Sequence, residues 1–167
     1  MIALASLAVL LALVALAAWR DLTTMTIPNA VSIALTLGFP VAALALGIGA
    51  DEMVGHITAA TIAFGICLAL FYSGVIGGGD AKLYPAVALW LGAPAAMAFM
   101  VGTFLAGGLL ALILMAARRI APTQAGTPMI LRRFCDPAEG VPYGLAIASG
   151  AIWSLPHVGW LSLQLSY

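Results

Sequence analysis

Charge is absent from five long stretches of this 167-residue chain: 1–19, 22–50, 53–79, 83–117 and 140–167. The 12 charged side chains are confined to Arg20 and Asp21, Asp51 and Glu52, Asp80 and Lys82, and the segment from Arg118 to Glu139. Backbone N–H and C=O groups in hydrocarbon must pair within their own segment, so apolar runs of this length read as membrane helices. Composition agrees. The chain is 64% hydrophobic and 7% charged, where a soluble domain carries about a quarter of its residues as charges. A water-soluble globule, a disordered tail and a nucleic-acid binder are thereby excluded; net charge is zero and no basic patch faces a phosphate backbone. At roughly 20 residues per crossing, residues 1–167 form a single membrane domain. Cys67 and Cys135 form no C-x-x-C pair, so no zinc site or redox motif is expected.

The fold class expected is an all-α integral membrane protein with six transmembrane helices, at about 2–19, 30–48, 55–74, 80–92, 95–117 and 142–163. The 83–117 stretch is too long for one span, and Gly92-Ala93-Pro94 is where it should break. Segment 80–92 is short; a full crossing is expected, with a shallow re-entrant dip as the other reading. Residues 2–14 and Ala15-Leu16-Ala17 resemble a secretory signal, but no Lys or Arg precedes the run and it is long enough to span. The first helix is therefore expected to stay uncleaved. Alternating sides put all six Lys and Arg on one face and Asp51 and Glu52 on the other. By the positive-inside rule the basic face is cytoplasmic and both termini lie outside.

Asp21 and Asp80 are separated by two crossings, which returns both to the cytoplasmic edge. A carboxylate beside hydrocarbon is costly unless paired or wetted and is a functional candidate by default. The bland alternative is two interfacial acids neutralised by Arg20 and Lys82. Asp80 follows Gly77-Gly78-Gly79. Glycines let another backbone approach closely, and an Asp at a helix start also caps free N–H groups. Two carboxylates sharing a site divide one proton between them. The ionised one takes a proton from water, and the protonated one polarises a peptide carbonyl. Hydrolysis then needs no serine or cysteine nucleophile. Which Asp plays which part is left open, since such a pair titrates as a unit.

Asp21 with Thr26-Ile27-Pro28-Asn29, then Gly77-Gly78-Gly79-Asp80-Ala81-Lys82-Leu83, then Val141-Pro142-Tyr143-Gly144-Leu145-Ala146-Ile147-Ala148-Ser149-Gly150 opening the last helix, resemble the type IV prepilin leader peptidases. The likeness is to the short form associated with tight-adherence (Flp-type) pili and spans nearly the whole chain. It implies an aspartic, intramembrane-type endopeptidase of the Gly-x-Gly-Asp kind, with Asp21 and Asp80 catalytic. Gly77, Gly78, Gly79, Lys82, Pro28 and Asn29 would support substrate binding. The family removes a short basic leader after a glycine on the cytoplasmic side of the bacterial inner membrane. Its partners are prepilin or pseudopilin-like precursors, membrane lipid and pilus or secretion assembly proteins. No metal or organic cofactor is implied. Longer relatives carry an insert with paired C-x-x-C motifs and also methylate the new N-terminus; that insert is absent here, so methyl transfer is not expected.

Other residues carry weaker signals. Lys82 has two open readings, tuning Asp80 or snorkelling to the interface. Arg118, Arg119, Arg132 and Arg133 are read as topology-setting. His56 and His157 are read as wet interfacial histidines, and Cys67 as packing. Two competing functions are a small proton-coupled transporter and a non-enzymatic membrane component of a secretion apparatus. Relay carboxylates sit near mid-membrane, whereas these are expected at the edge.

Overall fold

The computed structural model describes residues 1–120 and 140–161, which are helical with short connections and, among the described residues, form no strand. Five helices follow in order: α1 (Ile2–Thr24), α2 (Asn29–Leu46), α3 (Ala50–Tyr72), α4 (Gly78–Ile120) and α5 (Tyr143–Ser154). A 3-10 turn, Leu155–His157, follows α5. Among the described residues, four helices are long and apolar enough to cross a bilayer: Ile2–Thr24, Asn29–Leu46, Ala50–Tyr72 and Gly78–Arg119. The chain is thus an all-α membrane protein. Most of the expected 118–141 loop, including Arg132, Arg133, Asp136 and Glu139, lies outside the described residues, as do Cys135 and the segment beyond Leu161.

Several boundaries differ from expectation, each for a local reason. The loop expected at 20–29 is mostly helix, because α1 runs on to Thr24 and keeps Arg20 and Asp21 in its final turns. It ends where Met25 turns left-handed (φ 52°) and its N–H bonds the Asp21 carbonyl at 2.9 Å. Pro28, with φ fixed near its natural value, then starts α2. Asp51 and Glu52 lie in the first turn of α3 rather than in a loop; acids there complement the helix dipole. The last expected crossing, 142–163, is interrupted. After 12 helical residues, about 18 Å of rise, the chain tightens into the turn at Leu155–His157. Pro156 sits at the start of that turn and cannot donate to the helix before it.

The break expected at Gly92-Ala93-Pro94 occurs at Gly92, whose φ of 75° and ψ of 175° split α4 into arms 78–91 and 93–120. Pro94 has no N–H to give the Trp90 carbonyl, four residues earlier. The indole Nε1 of Trp160 donates to that carbonyl instead, at 2.8 Å. His56 Nδ1 donates to the neighbouring Leu89 carbonyl at 2.7 Å. His56 is therefore buried, 6% exposed, rather than wet. Its ring lies so close to Gly92 that a Cβ there would meet His56 Cε1 at 2.9 Å. His157 is exposed and Cys67 buried.

Helix α4 is the hub. It packs on α3, α5 and α2, while α1 lies against α5 and α2. Trp90, Leu91, Leu83 and Phe99 on α4 meet Leu10 and Val14 of α1, Leu35 of α2 and Ile147 of α5 in the buried core. Trp90 also donates to the Leu35 carbonyl at 2.8 Å. Leu37, Leu44, Phe104 and Trp153 point outward, as a lipid-facing surface requires. Lipid gives helices no hydrophobic reason to associate, so close contact must come from small residues. At the α4–α5 crossing, a Cβ on Gly102 would fall 3.1 Å from the Cα of Gly150.

Candidate active site

Asp21 is placed by the last turn of α1 and Asp80 by the first turn of α4. The two carboxylates lie close enough for their charges to act on each other directly. Asp21 is 6% exposed. Its Oδ2 accepts a hydrogen bond from the Gly144 amide at 2.7 Å. Gly144 is the second residue of α5, whose leading N–H groups have no partner within the helix. A carboxylate is a natural acceptor for such a positive helix end. The approach also demands glycine: a Cβ on Gly144 would lie 2.9 Å from the Cβ of Asp21 and 3.0 Å from its Oδ2.

Asp80 is held differently. Helix α4 begins at Gly78, and the Gly77 carbonyl accepts from Ala81 N at 3.0 Å, which makes Gly77 the residue that opens the helix. The Gly77 backbone N–H in turn donates to the Asp80 carboxylate, the side-chain-to-backbone half of a capping box at a helix start. The remaining oxygen, Oδ1, is buried with no hydrogen-bond partner among the described residues. It is an acceptor free to take a proton. The buried Cys67 of α3 also lies within electrostatic reach of Asp80.

The other residues singled out from sequence gather around this pair, though not all touch it. Gly79 packs on Ile27, where an added Cβ would come to 3.0 Å from the Ile27 Cβ. Gly78 faces the Phe71 ring in the same way at 3.3 Å, while Gly77 stays exposed. Pro28 precedes α2 as its cap residue. Asn29 Oδ1 accepts from Lys82 Nζ at 3.0 Å, so Lys82 reaches α2 rather than Asp80. The Thr26-Ile27-Pro28-Asn29 and Gly77–Lys82 segments are thus joined by a packing contact and a hydrogen bond. Arg118 Nη2 donates to the Gly140 carbonyl at 3.1 Å, linking the end of α4 to the residues that lead into α5.

Gly144 was not among the candidate site residues, although its motif, Val141-Pro142-Tyr143-Gly144, is legible in the chain. Its function as donor to Asp21 depends on α5 docking beside α1, which no local pattern states. Among the described residues, no three His, Cys, Asp or Glu side chains form a metal-binding group. Chemically, the arrangement joins one carboxylate oriented by an amide to a second with an unpartnered oxygen, beside an exposed glycine.

A family model described as the type IV leader peptidase family matches residues 8–112. That interval contains Asp21, Thr26–Asn29 and Gly77–Leu83 and stops short of Gly144. No curated protein and no solved structure matches the chain.

Proposed function

Because the chain belongs to the type IV leader peptidase family, a family of peptidases acting on prepilin-type precursors, we propose that it is an aspartic endopeptidase in which Asp21 and Asp80 activate water. The observation that carries this is the approach of the two carboxylates beside the glycine-rich start of α4. The substrate would be a prepilin-like or pseudopilin-like precursor of the tight-adherence type, with a short basic leader ending in glycine ahead of an apolar helix. The ionised carboxylate takes a proton from water as the oxygen attacks the scissile carbonyl carbon. The protonated carboxyl gives its hydrogen bond to the carbonyl oxygen as that oxygen gains charge. The tetrahedral intermediate collapses when the C–N bond breaks and the departing amine takes up a proton. No covalent enzyme intermediate forms.

A peptide bond inside a helix is protected by its hydrogen bonds, and glycine is the residue that loosens a helix most short of proline. Cleavage after a glycine fits that requirement. Gly77, Gly78 and Gly79 would receive the extended stretch, with Pro28, Asn29 and Lys82 shaping the floor beside them. The proposed topology is six crossings with α4 counted as two, both termini outside and the site at the cytoplasmic face of the bacterial inner membrane. Arg20, Lys82, Arg118 and Arg119 support that orientation. A basic leader stays in the cytoplasm by the same rule.

The test is cleavage of a labelled basic-leader precursor by purified protein in detergent, comparing wild type with Asp21→Asn and Asp80→Asn. Cleavage retained by either variant would refute the two-aspartate mechanism. A substrate glycine changed to alanine should be cut more slowly; an unchanged rate would remove the unwinding argument.

A further inference from the structure

Helices α2 and α3 are joined by only three residues, 47–49, yet make almost no contact with each other, while α4 packs on both. Between them runs a groove of about 690 Å³. Its walls are Ile33 and Leu37 of α2, Ala60 and Phe64 of α3, and Pro85 and Leu89 of α4. Of the hydroxyls along it, Thr36 Oγ1 donates to the Ser32 carbonyl and Thr61 Oγ1 to the Ile57 carbonyl, both at 2.8 Å, and the third belongs to the buried Ser32. The length of the groove is thus mainly apolar. Its rim holds the hydrogen-bonded pair Lys82–Asn29. With Asn29 Oδ1 occupied by Lys82, the pair presents N–H donors. A ligand fitting this groove is apolar along its length and rich in acceptors at one end.

Size narrows the choice. From Asn29 to Leu37 the groove follows eight residues of α2, about 12 Å of rise. A volume of about 690 Å³ over that length gives a width of roughly 8 Å. That width admits one face of a helix, about 10–12 Å in diameter with its side chains, or two acyl chains side by side at about 4 Å each, and position relative to the candidate active site favours the helix. The rim is also continuous with the candidate active site, since Lys82 follows Asp80 by two residues and lies across the first turn of α4 from it.

We propose that the α2–α3–α4 groove seats the apolar helix of the precursor, the part that follows the scissile bond. This rests on the peptidase reading above. To pass from the aspartates around α4, about 10 Å across, the precursor needs about three extended residues at ~3.3 Å each. Their carbonyls, unpaired once unwound, meet the N–H donors of Lys82 and Asn29. The cut bond and the seated helix are therefore separated by a short unwound linker.

Photocrosslinking tests this. Full-length protein carrying Asp80→Asn, so that the precursor stays intact, is prepared with p-benzoylphenylalanine in place of Leu37 or of Phe64. The control position is Leu109, exposed on the far arm of α4. A labelled precursor with basic leader and apolar helix is added in lipid nanodiscs. Both groove positions should crosslink the precursor at least tenfold more than Leu109, at residues starting about three after the cleavage site. Crosslinks to lipid alone, or equal yields at Leu109, would overturn the proposal. If one groove variant fails to fold, the other carries the test. Groove crosslinking of a precursor that wild-type protein does not cut would instead overturn the peptidase reading and leave the groove assignment standing.

Discussion

The amide of Gly144 and the Oδ2 of Asp21 meet at 2.7 Å across 123 residues of chain. The contact is buried, and it leaves no room for a side chain at position 144. Gly144→Ala should push Asp21 aside. Crowding of this kind costs about 1–3 kcal/mol, and a displaced catalytic group costs on the order of 100-fold in rate. Cleavage should therefore fall by that order while the protein still inserts and purifies. The check is the specific activity of the variant beside its melting temperature in detergent.

Removing either carboxylate should be more severe. Proton transfer by a positioned side chain contributes about 100- to 10,000-fold, and each Asp is asked to supply it in one direction. Asp21→Asn and Asp80→Asn should each lower kcat by at least about 1,000-fold. Single-turnover assays with saturating enzyme would separate this loss from a change in binding.

A dyad that works with one shared proton is inactive when both carboxyls are protonated and again when both are ionised. The kcat/KM profile should therefore be bell-shaped, rising as the first proton leaves and falling as the second does. Initial rates across the acid-to-alkaline range would show two limbs. A profile with one limb would mean that only one carboxyl changes its protonation during the reaction.

The kink of α4 offers a prediction about stability rather than chemistry. Gly92 has φ 75° and touches the His56 ring. Gly92→Ala should destabilise by about 1–3 kcal/mol, through left-handed strain and the contact with the ring. His56→Ala leaves the Leu89 carbonyl without its donor, a loss of about 1 kcal/mol for a hydrogen bond between membrane helices. Thermal unfolding in detergent measures both.

Much of the architecture was legible from charge placement and punctuation. The charge-free stretches correspond to the helices, and Gly92 and Pro94 marked a break that occurs at Gly92. Counting crossings led to the expectation that Asp21 and Asp80 come together, and their charges do act on each other. The extent of α1 was not, because Arg20 and Asp21 look like a loop in sequence while the helix retains both and sets Asp21 against α5. His56 was misread as wet because its partner is a carbonyl of a kinked segment 33 residues away. The orientation of Lys82 toward Asn29 is likewise a matter of how α2 docks on α4.

The dependence of Asp21 on an amide so far downstream has a consequence for biogenesis. A nascent polypeptide that has delivered its first four helices to the bilayer already contains both acids, but the first is not yet oriented. Translation must pass codon 144, and α5 must dock, before that carboxylate is fixed. Under the two-aspartate mechanism proposed above, chains that lack α5 should therefore be inactive in precursor cleavage.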